Sequence, residues 1–197
     1  MKIKLKSPQF RSVNVEEIEN AHRKCILWFF SYPNSRIGLS ELSKMIGSSK
    51  TATKNAVESL MNEEFILREI AGKSWILSAN QKHIYFTTKK IAYHLDKIYE
   101  VGIIKAVHKI LPQARAIILF GSYRWGSDTE SSDIDIAAEI IDNNGLEIVH
   151  LGSVERLGYR KDVRVNLHIF SRNKIDLNLF ANIANGIVLD GFLEARP

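Results

Sequence analysis

The 197-residue sequence predicts an α+β protein of two domains joined by a long helix or a pair of helices. Three observations carry that expectation. Residues 15–80 read as three helices followed by a β-hairpin, and residues 87–112 keep helical periodicity with no breaker but Gly102. Beyond Pro112 come short apolar runs of the kind that form buried strands. A hydrophobic content of 45% with 25% charged residues is that of a soluble globular chain, long enough for one large domain or two small ones. No apolar run approaches the ~20 residues that cross a bilayer. The stretch MKIKLKSPQF lacks the apolar core of a secretory signal, so no membrane association is expected. The single cysteine, Cys25 in CILWFF, excludes a disulfide framework, reads as a core residue and makes the cytoplasm the default compartment.

Taken in order, VEEIENAHRKCILWFFS at 15–31 places Ile18, His22, Cys25, Ile26 and Phe29 at helical spacing, and Tyr32-Pro33-Asn34 ends it. A short helix follows, with Ser40 as its expected N-cap, Leu42, Met45 and Ile46 apolar, and Gly47 ending it. Ser48 or Ser49 caps a third helix whose buried stripe is Ala52, Ala56, Val57 and Leu60. FILREI and SWILSA, joined by AGK, form the hairpin. Helix, short helix, tight turn, helix and hairpin resemble a winged helix-turn-helix over roughly residues 15–80. That resemblance implies DNA contact by Ser49, Lys50, Thr51, Lys54 and Asn55 on the third helix and by Arg68 and Lys73 on the wing. Lysine and arginine neutralise phosphates, and asparagine and threonine reach base edges. Modules of the same outline also serve as protein–protein adaptors. Charge favours DNA: residues 1–112 hold 18 Lys and Arg against 10 Asp and Glu, residues 113–197 hold 9 against 12.

In the connection, Ile91, Leu95, Ile98, Ile103, Val107 and Ile110 recur at three- to five-residue intervals. This predicts one long helix or two helices meeting near Gly102 and stopped by Pro112. The same stripe also fits a homodimer seam.

The chemistry-bearing residues lie in ILFGSYRWGSDTESSDIDIAAEI, 118–140. The apolar run at 116–120 ends in Gly121-Ser122, and a strand that turns there into a helix offers backbone N–H groups and a hydroxyl to phosphate oxygens. In SDIDIAA the period of two places Asp133 and Asp135 on one face and Ile134 and Ile136 on the other. Two same-face carboxylates repel unless solvent screens them or a cation sits between them, and Mg²⁺ is the hard cation that suits carboxylate and phosphate oxygens together.

LFGSYRWG…SSDIDIA resembles the signature of the DNA polymerase β-like nucleotidyltransferases, in particular the prokaryotic minimal type, over about residues 97–192. The resemblance implies a small mixed sheet flanked by helices. It implies Gly121 and Ser122 on the terminal phosphates of a nucleoside triphosphate, Arg124 as a further phosphate contact, and Asp133 and Asp135 as catalytic ligands of Mg²⁺, two ions in an active enzyme. The implied reaction is metal-assisted transfer of a nucleoside monophosphate to a hydroxyl. A helical, toxin-type partner protein is implied by the family alone. LFANIANGIVLDGFLE resembles the family's closing helix and the apolar segment after it.

One departure bears on activity. The family draws a third carboxylate from a later strand, and in VRVNLHIF, 163–170, Asn166 stands at that place. Asn166 offers a metal an oxygen without charge. Asp162, four residues earlier, and His168, on the same face as Asn166, are the neighbours that could compensate. The expected domains are a winged helix at 15–82, a linker region at 83–112 and a nucleotidyltransferase fold at 113–197 with its first helix beginning near 97. Two functions follow. The chain is either a DNA-binding nucleotidyltransferase or a DNA-binding transcriptional regulator whose impaired nucleotidyltransferase domain senses a nucleotide.

Overall fold

A computed structural model describes residues 8–15, 19–141 and 145–194. The chain divides into two compact units, one of Asn14–Lys90 with Gly158–Arg160, the other of the residues up to Val13, Ile91–Leu157 and those from Lys161 on. The architecture is α+β, a winged helix in one unit and a five-stranded mixed sheet between helices in the other. Among the described residues no helix is long and apolar enough to cross a membrane.

In the first unit, α1 spans Ala21–Ser31 and Tyr32 is its C-cap. It starts later than its apolar spacing predicts, because Asn20 turns extended there and its side chain accepts from the Arg23 N–H at 2.8 Å. Val15 lies outside this helix, and Ile18 lies outside the described residues. Every residue from Cys25 to Ser31 is buried, so the helix runs through the core instead of lying on it. β1 (Ile37–Gly38) leads straight into α2 (Leu39–Met45). The N-cap of α2 is therefore Gly38, not Ser40: Gly38 is held extended by pairing with Ile76, which fixes where the helix begins. Met45 is half exposed, while Leu42 and Ile46 are buried. The helix ends in a Schellman turn, with Gly47 N–H on Lys44 O and Ser48 N–H on Ser43 O.

α3 spans Lys50–Asn62 and is capped by Ser49, whose hydroxyl accepts from Ala52 N–H at 3.2 Å. Thr53, not Ala52, completes its buried stripe with Ala56, Val57 and Leu60, its hydroxyl donating to Ser49 O within the helix. The wing is β2 (Ile66–Ala71) and β3 (Ser74–Ala79), antiparallel from Ala71↔Ser74 to Ile66↔Ala79 with β1 on the far side of β3. Phe30, Phe65 and Phe86 meet edge-on or tilted, with ring centres 5.5–6.1 Å apart, and close the core.

The connection is two helices, α4 (Phe86–Glu100) and α5 (Ile103–Ile110). They meet at Gly102, whose φ of +83° is left-handed backbone that glycine adopts without strain. The second unit orders its strands β6-β7-β5-β4-β8. β4 (Ala116–Phe120) is buried throughout and runs antiparallel to both β5 (Ile134–Glu139) and β8 (Ile187–Gly191). β6 (Glu147–Leu157) neighbours β7 (Arg160–Phe170), and β7 runs parallel to β5. One face of the sheet, with Ile117, Leu119, Ile134, Ile136 and Leu167, packs on Ile103 and Val107 of α5. The other, with Ile118, Phe120, Ala137 and Phe170, packs on Ile183 of α7 (Leu177–Ala184).

Candidate functional site

Strand periodicity puts Asp135 on the same sheet face as Ala137, the face that α7 covers. Asp133 precedes β5 by one residue, at the end of the loop that enters it. The register sets Asp135 beside Phe120 on β4 and beside Asn166 on β7, and sets Ala137 beside His168. Five polar positions thus converge where β4 ends: Gly121, Asp133, Asp135, Asn166 and His168.

Asn166 holds the centre. Its Nδ2 donates to Asp133 Oδ2 and to Asp135 Oδ1, each at 3.3 Å, so one amide group spans both carboxylates. His168 Nε2 lies 3.5 Å from Asp135 Oδ1, and its ring meets Phe120 edge-on at 4.9 Å. Asp162 stands apart: it is exposed, has a left-handed φ of +51°, and lies four residues, about 13 Å of strand, before Asn166. Glu139 shares the face of Asp135 at the opposite end of β5, where it is engaged by Arg172 at 2.6 Å. The hydrogen bond to Glu139 raises the pKa of Arg172 above its ordinary value, with Glu194 adding to the effect.

Gly121 opens α6 (Gly121–Trp125) with a φ of +71°. A Cβ at Gly121 would stand 2.9 Å from Asp135 Oδ2, so only glycine lets the strand-to-helix turn approach that carboxylate. Ser122 follows, partly exposed, and its carbonyl accepts from Gly126 and Ser127 at the helix end. Arg124 Nε donates to Asn185 O, the C-cap carbonyl of α7, at 2.6 Å, and its guanidinium lies 3.8 Å from the centre of the Trp125 ring. The loop that carries Asp133 is closed on itself and anchored near its start. Thr129 N–H donates to Ser132 Oγ at 2.9 Å, and Asp128, 1% exposed, pairs with His94 of α4 at 3.3 Å.

Asp133, Asp135 and Asn166 offer oxygen donors, two carboxylates and an amide that presents its carbonyl when its plane turns over, with the His168 imidazole beside Asp135. That fits a hard divalent cation such as Mg²⁺, which takes one or two protein carboxylates and fills its shell with phosphate and water. It does not provide a third acid. Among the described residues no three His, Cys, Asp or Glu side chains group into a metal cluster.

On the other unit, Ser49, Lys50, Thr51, Lys54, Asn55, Arg68 and Lys73 are all exposed. Sequence reading missed the residue that joins two of them, Lys54 and Arg68. Trp75 of β3 lies under Arg68, 4.7 Å from ring centre to guanidinium, and under Lys54 Nζ at 5.8 Å, so one indole collects a cation from the wing and one from α3. Lys54 also pairs with Glu58 at 3.7 Å. The signal was present in the alternation of SWILSA, which places Trp75 on the face of Leu77. Asn185 and the pair of His94 with Asp128 carried no signal, because their partners are far away in sequence.

Comparison with known proteins gives the following. No curated protein matches the sequence. Among solved structures, two of ZitR from Lactococcus lactis are similar. One is described as a zinc-responsive MarR family member, at 17% identity over 54% of this chain and 82% of that one, with a TM-score of 0.33. The other is a cysteine-to-serine mutant of ZitR, at 12% identity over 54% and 72%, with a TM-score of 0.34. At those scores the likeness carries no inference for this chain. The model of the family described as "Nucleotidyltransferase domain" matches residues 101–176, from just before α5 to the N-cap of α7, and so takes in Gly121, Asp133, Asp135 and Asn166. That segment is similar to the nucleotidyltransferase domain family.

Proposed function

We propose that this chain binds a nucleoside triphosphate together with Mg²⁺ on the α7 face of its sheet and binds DNA through α3 and the wing. The observation that carries the first part is the convergence of Gly121 with the carboxylates of Asp133 and Asp135. In this reading Asp133 and Asp135 ligate the cation and Asn166 turns its carbonyl to it. Gly121 and Ser122 receive the terminal phosphates, and Arg124, its Nε already tethered, offers its remaining N–H groups to a phosphate oxygen. DNA binding falls to residues 15–82 and nucleotide binding to 113–197, in a protein of the cytoplasm. A homodimer and a helical, toxin-type partner protein belong to the same reading, but the apolar stripe of 91–110 is used within the chain: Ile98, Ile103 and Val107 are buried, and Leu95 and Ile110 pack against the same core.

The bound cation would activate an acceptor hydroxyl and neutralise departing pyrophosphate. The chain's own residues position the phosphates and supply charge. A specific observation favours the second reading, a DNA-binding regulator that senses the nucleotide without turning it over. Where a third carboxylate would sit, Asn166 brings neither negative charge nor a proton acceptor, and its amide donates to the two acids that remain.

Calorimetric titration of ATP in the presence and absence of Mg²⁺ tests the common part. Metal-dependent binding that is lost in Asp133→Ala and in Asp135→Ala is the expected result. Binding that ignores the metal and both substitutions would overturn the proposal.

A further inference from the structure

Trp125 is the one residue of α6 that combines a large apolar side chain with wide exposure, 49%. It follows Gly121 by four residues and Ser122 by three, so it shares their helix face one turn, about 5.4 Å, further along. A helical side chain leans over the turn on its N-terminal side, which directs the indole back toward Gly121 and Ser122. Its setting is fixed on one side. The guanidinium of Arg124 lies 3.8 Å from the ring centre and is itself tied through Nε to Asn185 O at the end of α7. A tethered cation on the indole holds the ring in one orientation while half of its surface stays in water. A flat aromatic ring is the ligand chemistry that such a surface takes.

We propose that Trp125, steadied by Arg124, is the stacking platform for the nucleobase of the bound triphosphate. This rests on the nucleotide reading above and adds the base to it. Phosphates at Gly121 and Ser122 with the base over Trp125 lay the nucleotide along α6, the ribose spanning the turn between. Stacking reads area and not hydrogen-bond pattern, so the platform prefers purines to pyrimidines and separates adenine from guanine poorly.

The test titrates the full chain, with Mg²⁺ present, with ATP, UTP and inorganic tripolyphosphate, in the wild type, Trp125→Ala and Trp125→Phe. Loss of one stacked base weakens ATP by about 5-fold to about 150-fold in Trp125→Ala. UTP weakens less, tripolyphosphate is unchanged, and Trp125→Phe recovers part of the ATP affinity. Equal weakening of all three probes would mean that Trp125 supports the fold of α6 and not the base, and would overturn the platform. So would unchanged ATP affinity in a wild type that binds ATP. A wild type that binds none of the three overturns the nucleotide reading itself.

Discussion

Gly121 and Asp135 approach each other as closely as a hydrogen side chain allows. A methyl group at Gly121 meets the carboxylate at 2.9 Å and must also accept a φ of +71°, which costs an L-residue about 1 kcal/mol or more. Gly121→Ala therefore either pushes the Asp135 carboxylate aside or unwinds the first turn of α6. The expected outcome is at least a tenfold loss of Mg²⁺-dependent ATP affinity, since displacing one metal ligand is worth about 1.4 kcal/mol or more. The loss of overall stability should stay near the strain itself, read from a urea titration; unaltered ATP affinity would contradict the contact. At this scale the sequence was informative about chemistry and silent about distance. The alternation in SDIDIA put both acids on one face. That Gly121 presses against the second of them depends on the register Phe120↔Asp135, which no local pattern encodes. Cys25 did follow from composition: it is buried, and burial pushes its thiol up to about 12, so it is inert at neutral pH.

At the scale of elements, the parallel pairing of β5 with β7 decides what the site can do, because it brings Asn166 between the two aspartates and His168 behind them. Asn166→Asp places a third carboxylate there. If nucleotide sensing is the natural role, the wild type releases no pyrophosphate from nucleoside triphosphates, whereas Asn166→Asp binds Mg²⁺ more tightly in calorimetry and gains release. Steady, metal-dependent pyrophosphate release by the wild type would instead assign the chain to the enzymes. Helices were more legible than strands in this chain. The break at Gly102 and the cap at Ser49 have compact local signatures, whereas the start of α2 is set by a strand pairing, Gly38↔Ile76, that propensity does not contain. The edge strand β6, EIVHLGSVERL, escaped notice because its apolar residues do not alternate cleanly and Gly152 interrupts them. β7 reaches back to Arg160, beyond the apolar run that marked it.

At the scale of the whole molecule, the charge of the sequence is uneven. The first 112 residues carry the excess of Lys and Arg, and two of the exposed cations, Lys54 of α3 and Arg68 of the wing, stand over Trp75. DNA affinity should accordingly fall with the logarithm of salt concentration, each phosphate contact adding about 0.9 to the slope. Lys50→Ala and Lys54→Ala should each weaken binding and reduce that slope by about 1, measured by fluorescence anisotropy on a labelled duplex. Salt-independent binding, or a slope that neither substitution changes, would contradict a phosphate role for α3. Composition makes a polyanion the expected partner of the first half; the cluster proposed to meet it includes Trp75, whose two cations lie 21 and 7 residues away in sequence.

In the proposed function, Asp133 and Asp135 hold a divalent cation against a triphosphate seated at Gly121 and Ser122. The most direct measurement is a crystal structure of the full chain grown with Mn²⁺ and a non-hydrolysable ATP analogue, with the metal located by its anomalous scattering. The expected result is Mn²⁺ between the two carboxylates, sharing oxygens with the triphosphate, and phosphate oxygens on Gly121 and Ser122. A triphosphate bound elsewhere, or a metal that avoids both aspartates, would contradict it.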